Sequence, residues 1–272
     1  MFDQNLSTVV PRNRAGTPKY LAKFHSEVTA RLQSGSHLIL HGPRATGKST
    51  LLACMRDYYR LRSIPCAIAP QTLGLPDVVN ALAQAYPHAA LTGLGRRAMG
   101  IRLRMIADRC PGVLLLDHTR EVTSAMVGFL RQLRGGIVGA LMVVDVDSEF
   151  ERERLRTWRR HALCVRMPLM PNSRLRRLLQ SGRSSCALGA LEAASTRQIV
   201  CAARGRIGWL RECVLRLERA DYWSGGRLHV GALCTDSEIA IREARLGPRM
   251  RRQSLQDRTE VIGRTRGKAA QA

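Results

Sequence analysis

A chain of 272 residues with 45% hydrophobic residues can form one large core, or one core and a small second domain. Its formal net charge of +23, from 44 Lys and Arg against 21 Asp and Glu, predicts attraction to a polyanion, with nucleic acid as the first candidate. The opening residues form no secretory leader, and the longest apolar run, at 137–146, is far shorter than a membrane span. These features argue against a secreted or membrane-spanning class, and a soluble, cytoplasmic protein is expected.

Arginine supplies nearly all of the positive charge, since only Lys19, Lys23, Lys48 and Lys268 are lysine. A bias toward arginine codons would explain the preference for arginine over lysine, but it would not explain the shortage of acidic residues. The eight cysteines show no C-x-x-C spacing, which argues against a zinc site and favours a reducing compartment.

The chain begins with a polar stretch, residues 1–16, that predicts an irregular N-terminal arm. Apolar residues then recur at helical spacing and predict a helix over about 18–32, with Pro18 at its first turn. Tyr20 or Phe24 on this helix either packs near a bound adenine or belongs to the plain core.

The next stretch reads as a buried strand at 37–41, a glycine loop and an apolar helix. Residues 42–49 fit G-x-x-x-x-G-K-[ST], the phosphate-binding P-loop, and the flanking strand and helix argue against a chance match. Backbone N–H groups would cradle a phosphate, Lys48 would reach the β and γ phosphates, and the Ser49 hydroxyl would ligate Mg²⁺. The predicted ATP-binding residues are Gly42, Pro43, Arg44, Ala45, Thr46, Gly47, Lys48, Ser49 and Thr50.

A second strand is predicted at 64–70, followed by a mostly helical region over 75–109 that is interrupted near Pro87 and at 93–95. Arginines give this region a basic face, which either contacts DNA phosphates or is simply solvated. They are Arg96, Arg97, Arg102, Arg104 and Arg109.

Four apolar residues at 113–116 end in Asp117, which is the Walker B pattern of a buried parallel strand. About seventy residues after a P-loop, this pattern predicts that Asp117 holds Mg²⁺ through water.

Helices at 122–133 and 149–160 alternate with strands at 139–145 and 162–168, so the chain is expected to form an α/β core over 17–171. Strand signals fade from Asn172 onward. Helices near 173–181, 187–203, 206–220 and 235–245 predict a small helical lid over 172–246. Residues 247–272 are basic and poor in apolar residues, which predicts a disordered cationic tail.

Five strands with the P-loop on the first and Walker B on the third, followed by a helical lid, resemble a P-loop AAA+ ATPase across about 17–245. Within that superfamily the chain most resembles the transposition helper ATPases, the TniB, TnsC and MuB group. The pointers are the small size, the bare lid and the glycine–x–isoleucine–glycine turn at 205–208.

This resemblance implies an ATP-binding regulator that forms homo-oligomers on DNA and recruits or activates a transposase. DNA contacts would be with phosphate and independent of sequence. A trans arginine would complete each ATP site at the end of the helix before the fifth strand. That position is Arg159 and Arg160, for which a phosphate contact or a merely solvated pair is the alternative.

The chain also departs from the AAA+ pattern. His118 stands where a glutamate usually orients the attacking water, and Glu121 is a substitute candidate. Sensor 1 is either Asp145 or Asp147. The usual sensor 2 arginine falls on Gly208, with Arg206 or Arg211 nearby in the sequence. ATP hydrolysis is therefore expected to be slow, with ATP acting mainly as an assembly switch.

Three other functions stay open at this point. One is a helicase loader of the DnaC and IstB kind, although such proteins usually keep Asp-Glu and a sensor 2 arginine. Another is a switch ATPase in signalling or secretion that binds protein only. The last is a degenerate scaffold, against which the intact Gly47-Lys48-Ser49 sequence argues.

Overall fold

The computed structural model describes residues 18–91, 93–119, 123–133, 139–147, 151, 153, 159, 162–181 and 191–244. These residues divide into two compact units. The first comprises the residues up to Leu178 together with Gly205–Ile207, and the second comprises Leu179–Arg204 and the residues from Gly208 onward. No helix in these ranges combines the length and the apolar character needed to cross a membrane.

The helices and strands follow the predicted alternation closely. In chain order they are α1 (Ala22–Gln33), β1 (Leu38–Gly42), α2 (Lys48–Arg60), β2 (Cys66–Ala69), α3 (Leu75–Ala85), α4 (Arg96–Arg109), β3 (Val113–Leu116), α5 (Ser124–Leu133), β4 (Gly139–Asp145), β5 (Leu163–Arg166), α6 (Asn172–Ser181), α7 (Ala193–Ala203), α8 (Ile207–Leu217), β6 (Trp223–Ser224), β7 (Arg227–Leu228) and α9 (Val230–Glu243). Short 3₁₀ turns lie at Lys19–Leu21, Pro87–Ala89 and Ala220–Tyr222.

Strands β1 to β5 form one parallel sheet in the order β2-β3-β4-β1-β5. Parallel strands bring their carboxyl ends to the same edge, so the turns after β1, β3 and β4 meet there. This architecture confirms the predicted α/β fold class, a five-stranded parallel sheet flanked by helices. The glycine loop follows the first strand and Asp117 follows the third.

Both faces of the sheet are covered, which explains why its strands read as continuous apolar runs. One face buries Ile39, Leu114 and Met142 with helices α3 to α5, and the other buries Leu40, Leu115 and Val143 with α1 and α2. Strand β4 is buried along its whole length and lies at the centre of the sheet. Its last residue, Asp145, is thus held beside β1 by the packing of the core.

The second unit contains a feature that the sequence prediction missed, the antiparallel hairpin β6–β7. Gly225 and Gly226 form its turn with positive φ, and a Gly-Gly pair between β-prone residues is a recognised hairpin signal. The indole N–H of Trp223 donates to the carbonyl of Leu217 at 2.8 Å, and the Tyr222 hydroxyl donates to Asp236 at 2.8 Å. These bonds anchor the hairpin between neighbouring helices.

Two further differences concern boundaries. Helix α9 begins at Val230 rather than near 235, because Leu233 is buried and its N–H donates to the carbonyl of His229. Strand β2 is shorter than predicted because Pro65 and Pro70 flank it and proline cannot donate to a sheet ladder. The helix predicted at 149–160, the N-terminal arm and the basic tail lie largely or wholly outside the described residues.

Candidate phosphate-binding site

The turn between β1 and α2 has the conformation that a phosphate loop requires. Gly47 caps α2 with φ +96°, a left-handed conformation that residues with a Cβ rarely adopt. A Cβ there would also lie 3.3 Å from the Tyr20 hydroxyl oxygen. The Thr46 hydroxyl closes the loop by donating to the carbonyl of Pro43 at 2.9 Å. The strand, loop and helix predicted around residues 42–50 are thus present together.

Backbone hydrogen bonds fix the strand immediately before the loop on both sides. The N–H of Val146 donates to the carbonyl of Gly42 at 3.0 Å, and the N–H of Met167 donates to that of His41 at 2.8 Å. The loop therefore leaves a strand that is held between β4 and β5. At the other end of the loop, Ser49 and Thr50 lie exposed in the first turn of α2, where backbone N–H groups favour an anion.

Lys48 is buried and its ammonium group is held by three acceptors. Its side chain is only 4% exposed, and Nζ lies 2.8 Å from Oδ1 of Asp145. The same Nζ donates to the carbonyl oxygens of Gly42 at 2.8 Å and Pro43 at 2.6 Å. A buried charge needs this kind of compensation, because water is excluded from it.

A second ion pair joins the loop to the residues after β4. Arg44 Nε lies 2.7 Å from Oδ2 of Asp147, and the backbone N–H of Arg44 donates to Oδ1 of the same carboxylate at 3.0 Å. The guanidinium contact is close but poorly aligned, since Arg44 Nε makes no hydrogen bond with acceptable angles. The N–H of Asp147 donates in turn to Glu151 at 2.7 Å. Asp145 and Asp147, the two sensor 1 candidates, thus both lie against the loop.

Asp117 lies at the same edge of the sheet, one strand further from the loop. Because β4 separates β3 from β1, and adjacent strands are about 4.8 Å apart, the β3 and β1 chains are about 10 Å apart. The N–H of Asp117 donates to the carbonyl of Ala69 at 2.8 Å, and its own carbonyl accepts from Thr72 at 3.1 Å. The Asp117 side chain is 14% exposed, so its carboxylate can reach solvent at the edge of the sheet where the loop lies.

His118 adopts the left-handed conformation, with φ +46°, which is uncommon for a residue with a side chain. This turn lets the backbone N–H of His118 donate to Oδ1 of Asp117 at 2.8 Å, while the imidazole Nε2 lies 3.9 Å from Oδ2. The backbone thus orients the carboxylate. Strained backbone conformations of this kind cluster at functional sites, so the φ angle of His118 supports a functional role for this turn.

The remaining predicted catalytic residues are only partly described. Glu121 and Arg160 lie outside the described residues. Arg159 is exposed, and it interacts with the thiol of Cys164 on β5. Among the sensor 2 candidates, Arg206 directly precedes α8, and Gly208 and Arg211 lie within it.

Three side chains converge over Gly47 within the first unit. The Tyr20 hydroxyl, Ile207 Cγ2 and Met167 Cε all lie 3.3–3.8 Å from the position that a Cβ of Gly47 would occupy. Burial raises the pKa of Tyr20 to about 12, so its hydroxyl stays neutral. Tyr20 and Phe24 both pack against the core on that side of the sheet. Nothing in the sequence pattern predicts that Met167 and Ile207 approach the loop.

The residues fit a magnesium nucleotide in their chemistry. The loop supplies backbone donors and one ammonium group, and Ser49 and Asp117 supply oxygen ligands of the kind that Mg²⁺ prefers. The described residues contain no cluster of three or more His, Cys, Asp or Glu side chains that would hold a metal by themselves. A divalent cation that arrives with a nucleotide takes part of its coordination from phosphate oxygens.

Acidification is expected to destabilise the protein through His41, which precedes the loop. Burial lowers the pKa of His41, and the positive charges of Arg159, Arg166 and Lys48 lower it further. Because the unfolded chain binds the proton more readily, the unfolding free energy should fall as the pH drops through the ordinary value of 6.5. Urea unfolding between pH 7.5 and 5 measures this slope, which should be smaller in His41→Gln. An unchanged slope in that variant would contradict the assignment.

The basic face of α4 is exposed, and it is not purely polar. Leu103 points into the core, whereas Ile101 and Met105 are 56% and 61% exposed. The exposed arginines around them are Arg97, Arg102, Arg104 and Arg109, while the side chain of Arg96 is not described. The face therefore offers several cations to a partner.

Comparison with known proteins adds little to these observations. No protein-family model matches the chain, and no curated protein matches it. Among solved structures, one similar chain is the Orc1 protein of Aeropyrum pernix, solved in complex with DNA, with 13% sequence identity and a TM-score of 0.49. The match covers 81% of this chain and 66% of the Orc1 chain, just under two thirds. At this level of likeness the comparison assigns neither a family nor a function, so the chemistry of the loop and its neighbouring carboxylates must carry the functional conclusion.

Proposed function

We propose that this chain is an AAA+ type ATPase that binds ATP with Mg²⁺ at the loop after β1. The observation that carries this proposal is the loop itself: Gly47 caps α2 in a left-handed conformation, and the next residue, Lys48, has a buried ammonium group that contacts Gly42 and Pro43 of the same loop. Asp117, two strand spacings away, supports a cation held through water, as in other P-loop enzymes. Tyr20, Met167 and Ile207 lie close to Gly47 and are the candidates to border the bound nucleotide on that side of the loop.

Hydrolysis is proposed to be slow, so that ATP acts mainly as a switch. No glutamate follows Asp117, and the imidazole of His118 turns back toward the Asp117 carboxylate at 3.9 Å. A side chain in that position is poorly placed to orient a water molecule on the far side of a phosphate. Arg159 is exposed, which suits a group that completes the ATP site of a neighbouring subunit.

The partner proposed for the ATP-bound form is DNA, contacted through its phosphates. The net charge of +23 and the exposed arginines of α4 support this partner, because neutralising phosphates releases counterions regardless of base sequence. We further propose that the protein assembles on DNA as a homo-oligomer and recruits or activates a transposase, as the resemblance to the TniB, TnsC and MuB group implies. Helicase loading is the alternative that shares the same ATPase core.

The test is DNA binding by the purified protein over a salt series, with and without Mg–ATP. We expect Mg–ATP to strengthen binding and to produce large assemblies, and we expect affinity to fall steeply as salt rises. Binding that ignores ATP would contradict the switch. Absence of salt-dependent DNA binding would instead favour an ATPase that acts on protein alone.

Replacing the α4 arginines should weaken DNA binding by a predictable amount. Arg97→Gln, Arg102→Gln and Arg104→Gln together should lower the salt slope by about 2 to 3, because each lost phosphate contact removes about 0.9. The matched control replaces three exposed arginines on other helices, Arg176, Arg177 and Arg197, and removes the same charge. Equal losses in both triple variants would show that net charge, and not this face, attracts DNA.

A further inference from the structure

We propose that Asp145 and Asp147 form a carboxylate clasp that competes with phosphate for the two cations of the loop. The clasp would make the site accept a nucleotide carrying its divalent cation and reject the free polyanion. This inference rests on the proposed nucleotide-binding function and adds a selectivity device to it. The ligand class is the metal complex of a nucleoside triphosphate.

The first arm of the clasp is the Lys48–Asp145 pair. An ammonium group has three N–H donors, and Asp145, Gly42 and Pro43 provide three acceptors at 2.6–2.8 Å. A phosphate oxygen must therefore displace one of these acceptors before Lys48 can donate to it. Of the three, the Asp145 carboxylate is the acceptor that carries charge.

The second arm is the Arg44–Asp147 pair. Asp147 reaches both the side chain and the backbone N–H of Arg44, within the loop itself. Arg44 Nε also lies 3.9 Å from the Asp145 carboxylate, so the two arms adjoin. Asp147 is 32% exposed against 7% for Asp145, so solvent screens the second arm more strongly than the first.

The selectivity follows from what happens to Asp145 after displacement. It is fixed at the end of buried β4, beside Gly42, and cannot move far from the loop. A bound phosphate would then face a carboxylate at close range, in surroundings where like charges repel strongly. A divalent cation arriving with the nucleotide offsets this repulsion, whereas a free nucleotide offers nothing to offset it.

The experiment compares the wild type with Asp145→Asn, which keeps the shape and removes the charge. A fluorescent ATP analogue is titrated in Mg²⁺ and in EDTA. In EDTA the variant should bind the analogue at least about tenfold more tightly than the wild type, a gain of about 1.4 kcal/mol. The change in Mg²⁺ should be smaller, so the ratio of the two Kd values should fall. Asp147→Asn should shift the ratio in the same direction by less.

Thermal unfolding gives a second readout that does not depend on hydrolysis. Without nucleotide, Asp145→Asn should unfold at a lower temperature because the buried pair is lost. With metal-free nucleotide, its stabilisation should exceed that of the wild type, since at the same ligand concentration a tighter ligand stabilises the folded state more. Asp57→Asn, which removes an exposed carboxylate from α2, is the matched control and should leave the Kd ratio unchanged.

The outcomes separate the clasp from the proposed function. Nucleotide binding that depends on Lys48 but is no tighter in Asp145→Asn would overturn the clasp alone. A wild type that binds equally well in Mg²⁺ and EDTA would overturn it as well. If the wild type binds the nucleotide no more tightly than Lys48→Ala does, and no other variant binds it, the nucleotide-binding function itself is overturned. If Asp145→Asn does not fold, an unchanged Kd ratio in Asp147→Asn would count against the clasp.

Discussion

Replacing Lys48 by alanine is expected to weaken ATP binding by about a hundredfold or more. Lys48 carries the buried ammonium group of the loop and is expected to donate to the β and γ phosphates of ATP. Removing one partner of a buried, hydrogen-bonded charge contact of this kind costs at least about 2–3 kcal/mol of binding free energy. Binding is measured by titrating a fluorescent ATP analogue in Mg²⁺. An affinity within a factor of about three of the wild type would mean that the loop does not hold the phosphates.

The same substitution should also destabilise the fold, because it leaves the Asp145 carboxylate buried without its cation. Breaking such a pair from one side costs about 3–5 kcal/mol, so Lys48→Ala should lower the unfolding free energy in nucleotide-free buffer by about that amount. The double variant Lys48→Ala with Asp145→Asn should recover about 2 kcal/mol of this loss without recovering ATP binding. Strict additivity of the two substitutions would contradict the pairing of their side chains.

The sequence predicted those parts of the site that depend on local spacing. The P-loop pattern at 42–49 fixes a strand, a turn and a helix start within a dozen residues, and the structure contains all three in place. Asp117 was predicted on similar grounds, because four apolar residues ending in a carboxylate describe a buried parallel strand. The fold class followed from the alternation of strands and helices, which needs no knowledge of long-range contacts.

The contacts between distant residues were beyond this kind of prediction. Lys48 and Asp145 are 97 positions apart, and they meet only because β4 inserts between β3 and β1 in the sheet order. The sequence marked Asp145 and Asp147 as polar residues at a strand end, but it could not show which cations they hold. Likewise, nothing in the sequence around Met167 or Ile207 places these side chains over Gly47.

The conformation of His118 illustrates a different limit. A left-handed residue after a strand normally calls for glycine or asparagine, and a histidine there gives no local signal. The hairpin β6–β7 differs from His118, because Gly225 and Gly226 are a local signal for a turn. Its strands have only two residues each, however, and are too short for alternation of apolar and polar residues to predict them. The hairpin is therefore hard to predict because its strands are short, and not because its residues are far apart in the chain.

Gly139→Ala is expected to lower the unfolding free energy by about 2–3 kcal/mol, because the first residue of β4 has no room for a side chain. A Cβ there would overlap the carbonyl oxygen of Leu32 and lie 3.0 Å from its carbonyl carbon, and both are backbone atoms that cannot rotate away. To relieve the overlap, either α1 or β4 must shift. Because β4 carries Asp145 at its other end, a shift would also disturb the pairing with Lys48.

The matched control is Gly128→Ala within α5, where a Cβ meets no atom within 4 Å. Glycine in a helix is about 0.5–1 kcal/mol less favourable than alanine, so this variant should be more stable than the wild type by about that amount. Urea unfolding followed by circular dichroism compares the two variants under identical conditions. If Gly139→Ala were as stable as Gly128→Ala, then α1 would not press on β4 as described, and the placement of Asp145 would need another explanation.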